Sequence, residues 1–169
     1  MAEKQEFFEK HEIEQLSNEL TFRNYHMNRS KVRDLFRVIT IPEYIALHTI
    51  ESGELASELY PGRTYLKDIA GKMQIPVRQA SKMIGELSER GLVIWSHDGN
   101  GSEGTYVTIT ETGRKLQGEQ EMILRGFYGK VIQKYGKEKF IALLQEMKKL
   151  DDVMSEEMEA VGNKKTAHT

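Results

Sequence analysis

The chain contains no cysteine. A disulfide framework, a zinc–thiolate centre and a thiol redox switch are therefore excluded. Proline is nearly as scarce: there are three, and none precedes Pro42, so nothing breaks a helix across the N-terminal segment. No apolar run approaches the length of a membrane span, and no basic segment followed by an apolar run opens the chain. The expectation is a soluble cytoplasmic protein with no membrane partner. No nucleophile motif, P-loop or dinucleotide fingerprint is present, and Thr110-Glu-Thr-Gly113 reads as a helix start. The five histidines, His11, His26, His48, His97 and His168, never pair at metal-ligand spacing with a carboxylate. No catalytic residue, metal or cofactor is expected, and a small enzyme has no constellation to stand on.

What the chain does have is charge. Charged residues make up 30% and hydrophobic residues 38% of it, a low apolar share for a self-contained globule. Long amphipathic helices that bury one face against a partner give this balance. The net charge of -2 hides a gradient. Glutamates dominate Met1 to Leu20, and Asp151, Asp152, Glu156, Glu157 and Glu159 make the other end acidic. Between Arg63 and His97, Arg63, Lys67, Lys72, Arg78, Lys82 and Arg90 face only Asp68, Glu86 and Glu89. A basic middle suits a surface presented to phosphates, although a mixed solvated surface produces the same count.

Periodicity places the helices. From Lys4 to Arg37, Phe7, Phe8, Ile13, Leu16, Leu20, Met27, Val32, Leu35 and Phe36 recur mostly at three- and four-residue steps, with a break near Asn28 to Ser30. A helix this long has to lie against something, and a second copy of itself is the simplest partner. Thr40-Ile-Pro-Glu43 resembles a capping box opening a short helix that ends near Gly53. Glu54 to Arg63, with Pro61-Gly62, reads as an irregular connection. Leu66, Ile69, Ala70 and Met73 then give one apolar face. Gln74-Ile-Pro76 interrupts, and Val77, Ala80, Ile84 and Leu87 give the next face, which Gly91 ends. Leu92 to His97 and Thr105 to Thr110 read as a hairpin around the glycine-rich loop Asp98 to Gly104. Two further helices run from Glu111 to about Tyr135 and from Lys137 to about Val161, broken at Gly136. The second carries a seam at Phe140, Ile141, Leu144, Met147, Leu150, Asp151 and Met154.

The order helix, turn, helix, hairpin is that of a winged helix-turn-helix, whose second helix enters a major groove. The predicted fold class is mainly α with a small β-hairpin wing: a winged helix-turn-helix domain plus terminal dimerisation helices. The predicted division is 1–37, an N-terminal dimerisation helix; 38–110, the DNA-binding domain; 111–161, C-terminal dimerisation helices; and 162–169, a flexible tail. The outward face of the second helix carries Arg78, Gln79, Lys82, Met83 and Glu86. Arginine donates two bonds to guanine, and glutamine pairs bidentately with adenine. Arg78, Gln79, Ser81 and Lys82 are the candidates for base readout, and Arg63, Lys67 and Lys72 for phosphates.

Leu66-Lys-Asp-Ile-Ala-Gly-Lys-Met73, Ala80-Ser-Lys-Met-Ile-Gly-Glu-Leu-Ser-Glu-Arg-Gly-Leu-Val93 and Val107-Thr-Ile-Thr-Glu-Thr-Gly-Arg114 together resemble the core of the MarR family of bacterial transcription regulators. Ile39 to Ile50 is similar to that family's second helix, so the resemblance covers most of the chain. It implies a homodimer with interlocked terminal helices, binding double-stranded DNA at a pseudo-palindromic operator. It also implies a regulator that mostly represses and is relieved by a small aromatic or lipophilic effector. Tyr25, His26, Phe36, Tyr44 and His48 fall where the family binds effectors, and ordinary packing would use the same residues. Lack of cysteine separates the chain from the family's thiol-based peroxide sensors.

The wing departs from the family pattern. Its tip, Asp98 to Gly104, has no arginine, and Asp98 and Glu103 repel phosphate. Asn100, Ser102 and backbone N–H groups are then the only candidate wing contacts. The same acidic tip suits a rival reading, a winged-helix protein-interaction module that does not bind DNA. The connection from Glu54 to Arg63 also looks longer than usual for the family.

Overall fold

The computed structural model describes residues 2–28, 31–56, 63–97, 99 and 104–166, with side chains over 12–28, 31–53, 63–97, 99 and 104–161. The chain divides into two compact units, Met1–Gln120 and Glu121–Thr169. No helix among the described residues is long and apolar enough to cross a membrane.

The first unit opens with α1 (Ala2–Asn28) and a 3-10 helix (Lys31–Leu35), so the regular helix stops where the sequence pattern breaks and does not reach Arg37. Helix α2 (Ile41–Ala56) starts on the predicted capping box. The Thr40 N–H donates to Glu43 Oε2 at 2.6 Å, and the Glu43 N–H donates to Thr40 Oγ1 at 3.4 Å. The helix runs past Gly53, its expected end. Gly53 serves a close approach instead: a Cβ there would lie 2.4 Å from Thr64 Oγ1. The Thr64 hydroxyl donates to Ile50 O at 3.0 Å, seating the next strand against α2.

That strand, β1 (Thr64–Tyr65), was not expected from the sequence, because two residues carry no readable alternation. Helices α3 (Leu66–Met73) and α4 (Val77–Glu89) follow, then β2 (Val93–His97), β3 (Thr105–Ile109) and the start of α5 (Glu111–Tyr135). The sheet order is β1-β3-β2, all antiparallel. The predicted hairpin is therefore two strands of a three-stranded sheet. Pro61-Gly62 and the loop residues Asp98, Asn100, Gly101, Ser102 and Glu103 lie outside the described residues.

Each element turns one stripe inward. Ala46, Leu47 and Ile50 come from α2, Leu66, Ile69 and Ala70 from α3, and Ala80, Ile84 and Leu87 from α4. Helical steps of three and four residues put each set on one face. Strand β3 alternates as its period requires, with Thr105, Val107 and Ile109 buried. Full burial of a Leu or Ile side chain stabilises by about 1.5–3 kcal/mol, so this single cluster holds the lobe together. Two expectations are corrected here. Val77 is 49% exposed, because as the first residue of α4 it lies at the edge of the stripe. Met83, expected to face outward, is half-buried against the core, since it stands one turn from both Ala80 and Leu87.

In the second unit, α5 continues to Tyr135 and α6 spans Lys137–Thr166, past Val161, where the sequence pattern ends. Asp152 accepts from Lys148 Nζ at 2.7 Å and pushes that ammonium above the usual lysine range. The predicted seam is uncovered: Ile141, Leu144, Met147, Leu150 and Met154 are all exposed.

Candidate nucleic-acid interface

The turn between α3 and α4 is set by two residues. Gln74 takes a left-handed conformation (φ 53°), and the Ile75 N–H closes back onto Ala70 O at 3.0 Å. Pro76 then fixes the direction of the next helix. Its carbonyl accepts from the Gln79 and Ala80 N–H groups at 2.9 and 3.1 Å, but no side chain caps α4. No acidic residue stands in the first turn either. The first N–H groups and the positive end of the helix dipole thus face outward, a ready setting for phosphate.

The far end of α4 is firmly closed. Gly91 has φ +69°, its N–H donates to Ser88 O at 2.9 Å, and the Leu92 N–H donates to Leu87 O at 3.0 Å. This is the Schellman arrangement, which needs a residue at positive φ. Arg90 reaches back to α2, with Nη1 on Glu43 Oε1 at 2.5 Å and Nη2 on Val38 O at 3.0 Å. Thr110 starts α5 by accepting the Gly113 N–H on its Oγ1 at 3.0 Å.

Between these fixed ends, Arg78, Gln79 and Lys82 are exposed on α4, opposite Ala80, Ile84 and Leu87. Arg78 and Lys82 stand one turn apart on the same side. Lys82 lies 3.9 Å from Glu86, with both side chains more than half exposed, so the pair is weak. Ser81 is half-buried on the flank. Lys67 and Lys72 are exposed on α3, five residues apart and so on opposite flanks of its outer face. Arg63 precedes β1, half-buried, with its guanidinium 4.5 Å above the Tyr106 ring. Asn100 and Ser102, the candidate wing contacts, lie outside the described residues.

The candidate effector residues group in part. Phe36 meets Tyr44 edge-on at 5.8 Å, and Tyr44 stacks on His48 at 6.0 Å and 17°. Tyr25 and His26 make an edge-on pair with each other on α1 at 5.8 Å. Sequence reasoning missed Gln117, which is 1% exposed and places Nε2 3.4 Å from His48 Nδ1. Its spacing from the buried Gly113 and Gln120 was the available signal, because three polar or small residues share one face of α5. An open cleft of about 520 Å3 is lined by His48 and Ser52 of α2, by Arg63 and Tyr65, and by Asp68 and Lys72 of α3. It also escaped the sequence reading, because three separated segments form it.

A helix-turn-helix with a polar outer face on its second helix, followed by a small antiparallel sheet, defines a winged helix-turn-helix protein. Solved structures similar to it include MarR family regulators. One from Neisseria meningitidis superposes with a TM-score of 0.63 at 18% identity, over 88% of this chain and 96% of its own. BpsR from Bordetella bronchiseptica, whose DNA binding is regulated by 6-hydroxynicotinic acid, gives 0.63 at 19% identity, over 80% and 92%. CouR from Rhodococcus jostii RHA1, bound to p-coumaroyl-CoA, gives 0.53 at 20%, over 68% and 76%. No protein-family model matches the sequence. No curated protein matches it either. Likeness at these identities is likeness of fold.

Proposed function

We propose that the chain is a MarR-type transcription regulator that binds double-stranded DNA as a homodimer and is not an enzyme. The observation that carries this reading is the outer strip of α4. Arg78, Gln79 and Lys82 are exposed at the uncapped end of a helix whose other face is locked into the core. In this reading α4 lies in the major groove, with Arg78 and Gln79 on base edges, Ser81 and Lys82 on bases or phosphates, and Arg63, Lys67 and Lys72 on the backbone.

Residues 1–37 and 111–161 supply the dimer interface in this proposal, flanking the DNA-binding domain at 38–110. Support comes from uncovered apolar side chains on each element: Ile13, Leu16 and Phe22 on α1, Ile123 and Phe127 on α5, and Leu144, Val153 and Met158 on α6. Apolar surface on this scale marks an interface. A small aromatic or lipophilic effector would act at Phe36, Tyr44 and His48, with Tyr25 and His26. Support for this comes from the aromatic stack and from the ligands of two proteins sharing the fold. Repression is the expected direction of control.

Selection of duplexes from a random pool by the full-length protein tests the reading. Enrichment of a pseudo-palindrome is expected, with half-sites about one helical turn, roughly 34–36 Å, apart. Recovery of no preferred sequence would overturn it. That result would favour the protein-interaction module suggested by the acidic tip, Asp98 and Glu103.

A further inference from the structure

Strand β2 runs back along α4. The chain leaves α4 through the turn at Gly91, and β2 then packs against that helix. A Cβ at Gly85 would lie 3.8 Å from Trp95 Cζ3, so Trp95 crosses the helix at Gly85. His97 is the next residue on the same face of the strand. Two strand residues advance roughly 6.6 Å, about the rise of four helical residues. His97 therefore stands near the level of Ser81, at the end of α4 that carries Arg78 and Lys82.

His97 is exposed, while Thr105, its partner across the hairpin, is 4% exposed. Thr105 Oγ1 and His97 Nδ1 are 2.9 Å apart. A hydroxyl both donates and accepts, so this hydrogen bond persists in either charge state of the imidazole. It holds the ring by Nδ1 and leaves Nε2 to meet a partner outside the sheet. Val93 and Trp95 share its face of β2, and Thr105, Val107 and Ile109 face it from β3, none of them ionisable near neutral pH. The charged groups of α4 are Arg78, Lys82, Glu86 and Glu89, with Lys82 beside Glu86, and Arg90 at its end is paired with Glu43. In the sequence Asp98 follows His97 directly, and Glu103 lies two residues before Thr105. No lysine or arginine occurs between Leu92 and Ile109, so His97 is the one side chain of that segment able to become a cation.

We propose that His97 is a proton-gated phosphate contact. As imidazolium it donates its Nε2–H to the DNA backbone beside α4; as a neutral ring it brings no charge to offset Asp98 and Glu103. The proposal rests on the DNA-binding reading above. Histidine is the side chain that changes charge between pH 5 and 8. The chain therefore holds DNA more tightly in mild acid, where the hairpin adds its cation to those of α3 and α4. The phosphate in turn favours the imidazolium, because binding and protonation are reciprocal.

Fluorescence anisotropy of the full chain on a random-sequence duplex, from about pH 8 to about pH 5.5 and at several salt concentrations, tests the contact. Affinity should rise on the order of three- to tenfold toward acid, and the salt slope should steepen by about 0.9 for each His97 engaged. His97→Gln should lose this gain. His97→Arg should bind at the alkaline end as tightly as the wild type does in acid. His11, His26, His48 and His168 remain in both variants, so their own pH effects cancel in the comparison.

Proton NMR of the His97 ring gives a second measurement, on the wild-type chain. Its titration midpoint should move to higher pH when the duplex is bound. A thermal melt checks the folding of both variants; should either unfold, the NMR titration carries the test. Equal pH dependence in the wild type and His97→Gln, or a His97 titration that ignores the duplex, overturns the contact while leaving the DNA reading in place. A chain that binds no duplex at any pH overturns the DNA reading and the role of His97 with it.

Discussion

Arg90 and Glu43, 47 residues apart, form an ion pair at 2.5 Å that ties the end of α4 to the start of α2. The same carboxylate closes the capping box with its other oxygen, accepting the Thr40 N–H. Glu43 is only 14% exposed, so removing its partner leaves a poorly solvated carboxylate. The pairing matters for function because α4 is the proposed reading helix, and its far end is held by this link and by Gly91. Arg90→Ala is expected to lower stability by about 1–2 kcal/mol, which is roughly 2–8 °C in Tm for a chain of this size. Thermal unfolding followed by circular dichroism checks this. An unshifted Tm would show that the link contributes nothing.

Gly113 packs where no side chain fits. A Cβ there would lie 2.1 Å from the Leu92 carbonyl oxygen and 2.8 Å from Ile109 Cγ1. Backbone cannot yield as a flexible side chain does, so Gly113→Ala should cost about 3 kcal/mol or more. Gly118, five residues on in the same helix, meets nothing within 4 Å. Gly118→Ala is expected to be neutral or to stabilise by roughly 0.4–1 kcal/mol. Denaturant titration of the two variants side by side is the check, and equal midpoints would contradict the packing at the start of α5.

Much of this arrangement was legible in the sequence, for local reasons. The steps of Leu66, Ile69 and Ala70 and of Ala80, Ile84 and Leu87 are helical periodicity, and Thr40–Glu43, Gly91 and Thr110 are caps whose chemistry spans a few residues. What escaped depends on distant contacts. Strand β1 exists because Thr64 and Tyr65 pair with Val107 and Tyr106. Arg63 reads as a free surface cation until Tyr106 is seen beneath it. The sequence reading puts Met83 on the outer face, yet by angle it borders the buried stripe, one turn from both Ala80 and Leu87. The outer face of α4 was readable because exposure there follows from the buried stripe. The open cleft at His48 was not, because three segments converge to make it.

The DNA reading assigns different work to different cations. Arg78→Ala, which removes a proposed base contact, should cost about 1–3 kcal/mol at the selected site and relax preference at one position. Lys67→Gln, a proposed phosphate contact, should weaken all duplexes alike and lower the salt slope by about 0.9. Anisotropy titrations at several salt concentrations, on selected and scrambled duplexes, separate the two effects. Unchanged affinity in both Arg78→Ala and Lys82→Ala would remove α4 from the groove.

The terminal helices carry the last prediction. Leu16 on α1 is 64% exposed and Leu144 on α6 is 50% exposed. Such residues are stable in water only when scattered, and here they recur along long helices. Obligate homodimer interfaces bury roughly 2,000–5,000 Å2, which long helices of this kind can supply. Sedimentation velocity at micromolar concentration should therefore give a dimer. Leu16→Asp combined with Leu144→Asp places charges in the proposed interface and should shift the protein to monomer, with loss of tight binding to a two-half-site operator. The lobe core of Leu47, Ile69, Ile84 and Val107 contains neither position, so the monomer should keep a cooperative melt. A wild-type chain that sediments as a stable monomer would remove the terminal helices from the interface. The exposed stripes on α1 and α6 would then need another cover.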